Sequence, residues 1–169
     1  MKQIIVAVSG GFDPVHIGHV RMFSEAKKLG DKLVVILNND NWLKKKKGFA
    51  FMPEVKRKEL LEALGCVDEV VFSKHLPDPQ DMSVSEDLLD LRPHVFVNGG
   101  DRNEANAADP NSSLYKDIQA CEEVGIEIVY NIGEGGKVQS SSWLLMHYLE
   151  NVPCPCGSGK EWKYCHGAP

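Results

Sequence analysis

The sequence predicts a doubly wound α/β sandwich, a parallel sheet of five strands with helices on both faces, followed by a short cysteine-rich appendage. Three observations carry this. Short β-branched apolar runs alternate with amphipathic stretches, the pattern of linked βαβ units. The runs are continuously apolar, as strands covered on both faces must be. Composition then changes at Val152-Pro153, beyond which cysteines crowd the chain.

The elements follow in order. IIVAV (4–8) reads as the first strand and VHIGHVRMFSEAKKLG as a helix, with Val20, Phe23 and Ala26 near helical spacing and Gly30 as its stop. KLVVIL (32–37) is the second strand, and LKKKKGF (43–49) reads as a basic loop. In PEVKRKELLEAL, Pro53 suits a first helical position, and Val55, Leu60, Leu61 and Leu64 supply the apolar face. VDEVVF (67–72) is the third strand, SEDLLDL (85–91) a short helix stopped by Pro93, and HVFVN (94–98) the fourth strand. NSSLYKDIQACEEVG (111–125) is a capped helix, IEIVYNI (126–132) the fifth strand, and SSSWLLMHYLEN (140–151) a last helix opened by serines. The expected division is 1–151 for a Rossmann-like domain and 152–169 for the tail.

With 169 residues the chain is long enough to bury a real core. Its net charge of −5 argues against a dominant nucleic-acid or anionic-membrane surface. No apolar stretch reaches transmembrane length. MKQIIVAVSGG reads as a strand entering a motif and not as a secretory signal, so a cytoplasmic location is expected. Five cysteines, an odd number, argue against a disulfide framework; three of them within the last sixteen residues suggest a metal.

Ligands of such sheets sit beyond the carboxyl ends of the strands, and the unusual residues collect there. Residues 10–20 read GGFDPVHIGHV. Gly10 and Gly11 allow a tight turn and close approach to the main chain. Gly18 removes a side chain between His16 and His19. A helix starting near residue 16 or 17 directs free N–H groups at the loop, which favours phosphate. The dinucleotide fingerprint and the Walker loop are both absent.

The stretch resembles the HxGH signature of the nucleotidyltransferase superfamily, in the form G-x-F-D-x-x-H-x-G-H. That form is similar to the cytidylyltransferase-like branch, which includes glycerol-3-phosphate cytidylyltransferase and heptose 1-phosphate adenylyltransferase. A-K-K-L-G-D (26–31), K-K-G (46–48), R-K-E-L-L (57–61), V-D-E-V-V (67–71), N-G-G-D (98–101) and the serines 140–142 fall in the order that branch uses. The resemblance covers residues 4–145. VQSSS stands where related enzymes carry an ISTT-like segment, and residues 102–113 form a longer loop than in the glycerol-phosphate enzyme.

The resemblance implies a nucleoside triphosphate at the first loop, an acceptor phosphate attacking its α-phosphorus, and pyrophosphate leaving. It implies that His16 and His19 bind the triphosphate and stabilise the transition state, with Lys44 and Lys47, and also Lys46, clamping phosphates. Gly10, Gly11, Phe12, Asp13 and Gly18 would shape the loop, with Asp13 orienting substrate or metal. Arg57 falls where the branch places a helix arginine. Asn98, Gly99, Gly100 and Asp101 would face the nucleoside. Ser140, Ser141 and Ser142 would offer hydroxyl and N–H groups to the β- and γ-phosphates. Mg²⁺ would bridge the phosphates. The donor is ATP or CTP, the acceptor a small sugar or polyol phosphate. A homodimer is expected from the branch.

The tail reads CPCGSGKEWKYCHG over 154–167, offering Cys154, Cys156, Cys165 and His166 as a tetrahedral zinc set. A segment this short has no core of its own, so metal supplies its folding energy. It resembles the SEC-C motif, a zinc-binding tail of the bacterial preprotein translocase motor and of other proteins. Lys160 and Lys163 with Trp162 and Tyr164 suggest a small protein- or RNA-binding face. The alternative function is therefore a non-catalytic nucleotide-binding adaptor, recruited to a protein or RNA partner by the zinc tail. Pyrophosphate release separates the two readings.

Overall fold

The computed structural model describes residues 3–99, 108–110, 112–133, 139–149 and 152–166. Five strands form one sheet: β1 (Ile5–Gly10), β2 (Lys32–Leu37), β3 (Glu69–Phe72), β4 (Val95–Gly99) and β5 (Glu127–Ile132). Their spatial order is β3-β2-β1-β4-β5, and every neighbouring pair is parallel. Among the described residues, the helices that connect or follow them are α1 (Ile17–Lys27), α2 (Asp40–Lys47), α3 (Glu54–Glu62), α4 (Ser85–Leu91), α5 (Ser113–Val124) and α6 (Ser141–Leu149). The predicted Rossmann-like fold is the observed one. Among the described residues, no helix is long and apolar enough to cross a membrane.

Alternate residues of a strand face opposite sides of the sheet, and both sides are buried. Val6, Val8, Leu33, Val35 and Leu37 pack with Phe23 and Ala26 of α1 and Leu61 of α3. Ala7, Ile36 and Phe96 point the other way, against Leu88 of α4 and Cys121 of α5. This two-sided burial explains why the strands read as unbroken apolar runs.

One element departs from the expectation. The lysine run is not a loop but the second half of α2. Asn39 caps that helix, its side chain accepting the Trp42 N–H at 3.1 Å. Asp40 lies in the first turn and four lysines fill the last, the arrangement that complements a helix dipole. Gly48 ends the helix at φ 81°, the left-handed conformation open to glycine. Pro53, expected as a first helical residue, is the N-cap of α3 instead.

The chain runs from β1 to β2 on one side and only later returns to place β4 on the other. β1 is therefore the strand at which the winding reverses. The crevice beyond its carboxyl end is where this topology places ligands.

Candidate functional site

The loop after β1 is built around a buried carboxylate. Asp13 is 1% exposed, and its two oxygens accept the N–H groups of Phe51 at 2.7 Å and Met52 at 2.8 Å. Burial pushes its pKa up, while those two amides and the nearby Lys47 oppose the rise. With one amide held by each oxygen, Asp13 ties the loop to the α2–α3 turn. The Lys47 ammonium donates to the Asp13 carbonyl at 3.0 Å, and burial lowers its pKa.

Beneath the loop lies Arg57, which is fully buried. Its Nε donates to Met52 O at 2.9 Å, and its Nη1 donates to Gly11 O at 2.7 Å and Asn38 O at 2.8 Å. Its Nη2 meets the Asp40 carboxylate at 2.6 Å. The guanidinium joins the ends of β1 and β2 to α2 and α3. The structure places it behind the site as a brace and not on its surface.

Gly10 and Gly11 serve packing. A Cβ on Gly10 would lie 2.8 Å from the Phe12 ring, and one on Gly11 would lie 2.8 Å from Leu43. Phe12 is thereby held with its ring edge-on to His19 at 4.9 Å and to Phe23 at 5.0 Å. Gly18 lies in the first turn of α1, between the two histidines.

His16 is the N-cap of α1 and His19 lies one turn in. Their rings stack, with centroids 3.6 Å apart and planes 20° off parallel. The His16 backbone N–H donates to His19 Nδ1 at 3.3 Å. The neutral His19 ring therefore carries its hydrogen on Nε2. Burial, then the neighbouring His16, then Lys47 pull the His19 pKa down to about 3. Burial and Lys47 lower that of His16 as well. Both imidazoles are neutral in the free protein near pH 7.

Lys44 and Lys46 are exposed on the last turn of α2. At the other end of the site, Ser140 accepts the Trp143 N–H at 3.1 Å and so caps α6. Ser141 donates to Pro14 O at 2.9 Å, pinning the start of α6 to the histidine loop. Ser142, in the first turn, is half-buried. Gly99 ends β4, with Met22 Sδ where its Cβ would stand. Gly100 and Asp101 lie outside the described residues.

Five buried side-chain polar atoms find no protein partner among the described residues: His16 Nδ1, Asn38 Oδ1, His75 Nε2, Asn98 Nδ2 and Trp162 Nε1. The first four follow or end β1, β2, β3 and β4 at their carboxyl side. An unpaired buried polar atom costs about 1–3 kcal/mol, and four of them along one sheet edge mark where a polar ligand fits. Sequence reasoning leaves His75 structural and takes in Asn38 only as part of the segment 38–47 after the second strand. Their only signal was a polar residue just past a strand end.

The tail gathers its four predicted ligands. The Sγ atoms of Cys154, Cys156 and Cys165 and a ring nitrogen of His166 lie within 4.8 Å of one another. His166 Nδ1 is 3.3 Å from Cys154 Sγ and 3.3 Å from Cys165 Sγ, and Cys156 and Cys165 are 3.7 Å apart. A zinc tetrahedron with Zn–S near 2.3 Å has edges of roughly 3.5–3.8 Å, so the donor set and spacing fit that ion. Ser158, then Cys154, hold the Cys156 thiol down to about 6, towards the thiolate that metals bind. The aromatic face expected on the knuckle is not formed as predicted. Trp162 is fully buried, and of the two aromatic residues only Tyr164 is exposed.

A parallel sheet whose first strand runs into a stacked-histidine helix start, with a cysteine–histidine knuckle at its end, defines the class: a Rossmann-like domain of the nucleotidyltransferase type carrying a cysteine–histidine tail. Residues 7–121, more than half of the chain, match the family described as cytidylyltransferase-like, and the chain belongs to that family. Residues 151–168 match the SEC-C motif. The Bifunctional protein HldE of Streptomyces coelicolor is 41% identical over 116 residues, covering 67% of this chain and 23% of that one. The FAD synthase of Pyrococcus horikoshii is 41% identical over 103 residues, covering 60% of this chain and 66% of that one. The chain thus spans less than two thirds of the length of either relative. The solved structure of a lipopolysaccharide core biosynthesis protein from Thermoplasma volcanium matches with a TM-score of 0.60 at 26% identity, covering 78% of this chain and 98% of that one.

Proposed function

We propose that the chain transfers a nucleoside monophosphate from ATP or CTP to a small phosphorylated acceptor, a sugar phosphate or a polyol phosphate. A phosphate oxygen of the acceptor attacks the α-phosphorus, the bond from that phosphorus to the bridging oxygen of the β-phosphate breaks, and pyrophosphate leaves. The observation that carries this reading is the row of unpartnered polar atoms at the sheet edge, beside two neutral imidazoles at a helix start.

His19 Nε2–H and the His16 ring donate to phosphoryl oxygens as charge develops on them. Gly18, in the opening turn of α1, adds the unpaired backbone amides of a helix start. Lys44, Lys46 and Lys47 bring cations to the same edge from α2, with Lys47 already fixed on the loop. Phe12 orients the His19 ring, Asp13 holds the loop to the α2–α3 turn, and Arg57 holds both from below. By the family resemblance, Asn98, Gly99, Gly100 and Asp101 would serve the nucleoside, and Ser140, Ser141 and Ser142 the β- and γ-phosphates. Mg²⁺ would arrive with the triphosphate and would offset the charge of its phosphates. The cysteine–histidine set takes zinc. A homodimer and a cytoplasmic location belong to the same proposal, and sedimentation at micromolar concentration tests the first.

Pyrophosphate release tests the reaction. Mg-ATP and Mg-CTP, each presented with a panel of sugar and polyol phosphates, should yield pyrophosphate with at least one pair. Nucleotide binding without pyrophosphate release from any pair would favour the adaptor reading.

The histidine pKa values give a second expectation. A triphosphate favours the charged form of a nearby imidazole. Binding at pH 6.5 should therefore take up protons, by up to about one per chain. Titration calorimetry in buffers of different ionisation enthalpy measures this uptake, which should fall in His16→Gln. Proton release on binding would contradict the assignment of the pair to the phosphates.

A further inference from the structure

The knuckle is not a free appendage. Trp162 packs in one cluster with Cys154 and with Leu145 of α6, and Phe49 and Cys165 lie against that cluster. The Phe49 and Trp162 rings meet edge to face at 6.5 Å. At Gly48, the C-cap of α2, a Cβ would stand 2.7 Å from the His166 ring and 2.9 Å from Cys156 Cβ. Two of the four metal-ligand residues therefore rest on the turn that ends the lysine helix.

Both elements that the knuckle touches hold the histidine loop. On one side Gly48 follows Lys47, whose ammonium bonds Asp13 O, and the next turn supplies Phe51 N and Met52 N to the Asp13 carboxylate. On the other side Leu145 belongs to α6, whose Ser141 bonds Pro14 O. Asp13 and Pro14 are thus gripped by two neighbours, and one small module sits against both.

We propose that the metal-closed knuckle is an intramolecular clamp, with Phe49 and Trp162 as positioning residues that hold the Gly48–Met52 turn and α6 against the histidine loop. Metal closes the four-ligand set, the closed set presents Trp162 and His166 to the turn, and the turn fixes Lys47 and Asp13. The coupling is reciprocal by thermodynamic necessity. A metal that tightens the turn is itself held more tightly by the docked domain. Its consequence for nucleotide binding rests on the function proposed above; the clamp itself does not.

The test needs no nucleotide. Hydrogen exchange of residues 44–52 is followed in the full chain loaded with Zn²⁺ and after removal of the ion by a chelator, with β1 and β2 as internal reference. Zinc removal should speed exchange in Gly48–Met52 about tenfold while the reference strands are unchanged, since coupling of this kind commonly spans 5–150-fold. Phe49→Ala leaves the ligands and Trp162 in place. It should retain one zinc per chain, show the faster exchange with zinc bound, and lose zinc to the chelator about tenfold sooner than the wild type. Lys160→Ala, an exposed change on the knuckle, should do neither. Unchanged exchange at Gly48–Met52 on zinc removal, or zinc release from Phe49→Ala at the wild-type rate, would overturn the clamp. If exchange responds as expected and no triphosphate binds, the clamp stands and the proposed reaction fails.

Discussion

Replacing His19 with asparagine lowers turnover by on the order of 10²–10³-fold, the loss seen when one donor to developing phosphoryl or oxyanion charge is removed. Asparagine is the informative choice because its side-chain oxygen retains an acceptor for the His16 N–H, the bond that orders the start of α1. Alanine would remove the donor and the cap together. The same replacement changes how stability depends on pH. His19 is held neutral, its pKa lowered from 6.5 to about 3. A group whose folded pKa is depressed stabilises fully above its unfolded pKa and loses that contribution as pH falls through the window between the two. The wild type should therefore lose stability relative to His19→Asn as pH drops from about 6.5 towards 3, by a few kcal/mol at most. Asp87, raised to about 6 by burial, acts in the opposite direction but is common to both proteins and cancels in the difference. Urea midpoints at pH 7.5 and pH 5 measure it. A difference independent of pH would mean that His19 is not buried neutral.

Arg57→Met costs about 3–5 kcal/mol of stability, the range for breaking a buried ion pair by removing one partner. The guanidinium is fully buried and serves three backbone carbonyls and one carboxylate. Methionine fills much of the same volume but satisfies none of them. Asp40 is 25% exposed and regains some water, so the larger part of the cost falls on the carbonyls of Gly11, Asn38 and Met52. These sit at the ends of β1 and β2 and in the turn over Asp13, so the histidine loop should loosen as well. Denaturant unfolding gives the stability; a loss under about 1 kcal/mol would show that the brace is dispensable. Lysine is not a conservative replacement here, since it lacks the planar set of five donors that spans four acceptors.

The sheet was legible because its inner strands β1, β2 and β4 are buried on both faces and so are spelled as unbroken apolar runs, and SEDLLDL matched α4 residue for residue. The lysine helix was not. Four adjacent lysines mask the apolar period, and only Leu43 is buried in α2. Its signals were the caps, Asn39 before and Gly48 after, and not a hydrophobic stripe. The candidate site was legible in type and not in role. The motif around His16 and His19 marked the loop, but motif position alone assigned Arg57 to the ligand, and only tertiary packing shows its donors turned inward. The knuckle's four ligands could be read from spacing. Its docking on Gly48 and Phe49 could not, because that contact joins segments more than a hundred residues apart and leaves no periodic trace.

The most direct test is thermal stabilisation by Mg-ATP, Mg-CTP, Mg-GTP and Mg-UTP in the wild type and in His19→Asn. A ligand that binds the native state alone stabilises it by RT ln(1 + [L]/Kd) and so raises its melting temperature. The account predicts that Mg-ATP or Mg-CTP shifts the wild type by several degrees at about a hundred times its dissociation constant, and His19→Asn by much less. No shift with any of the four, or equal shifts in both proteins, would contradict a triphosphate held by the paired histidines.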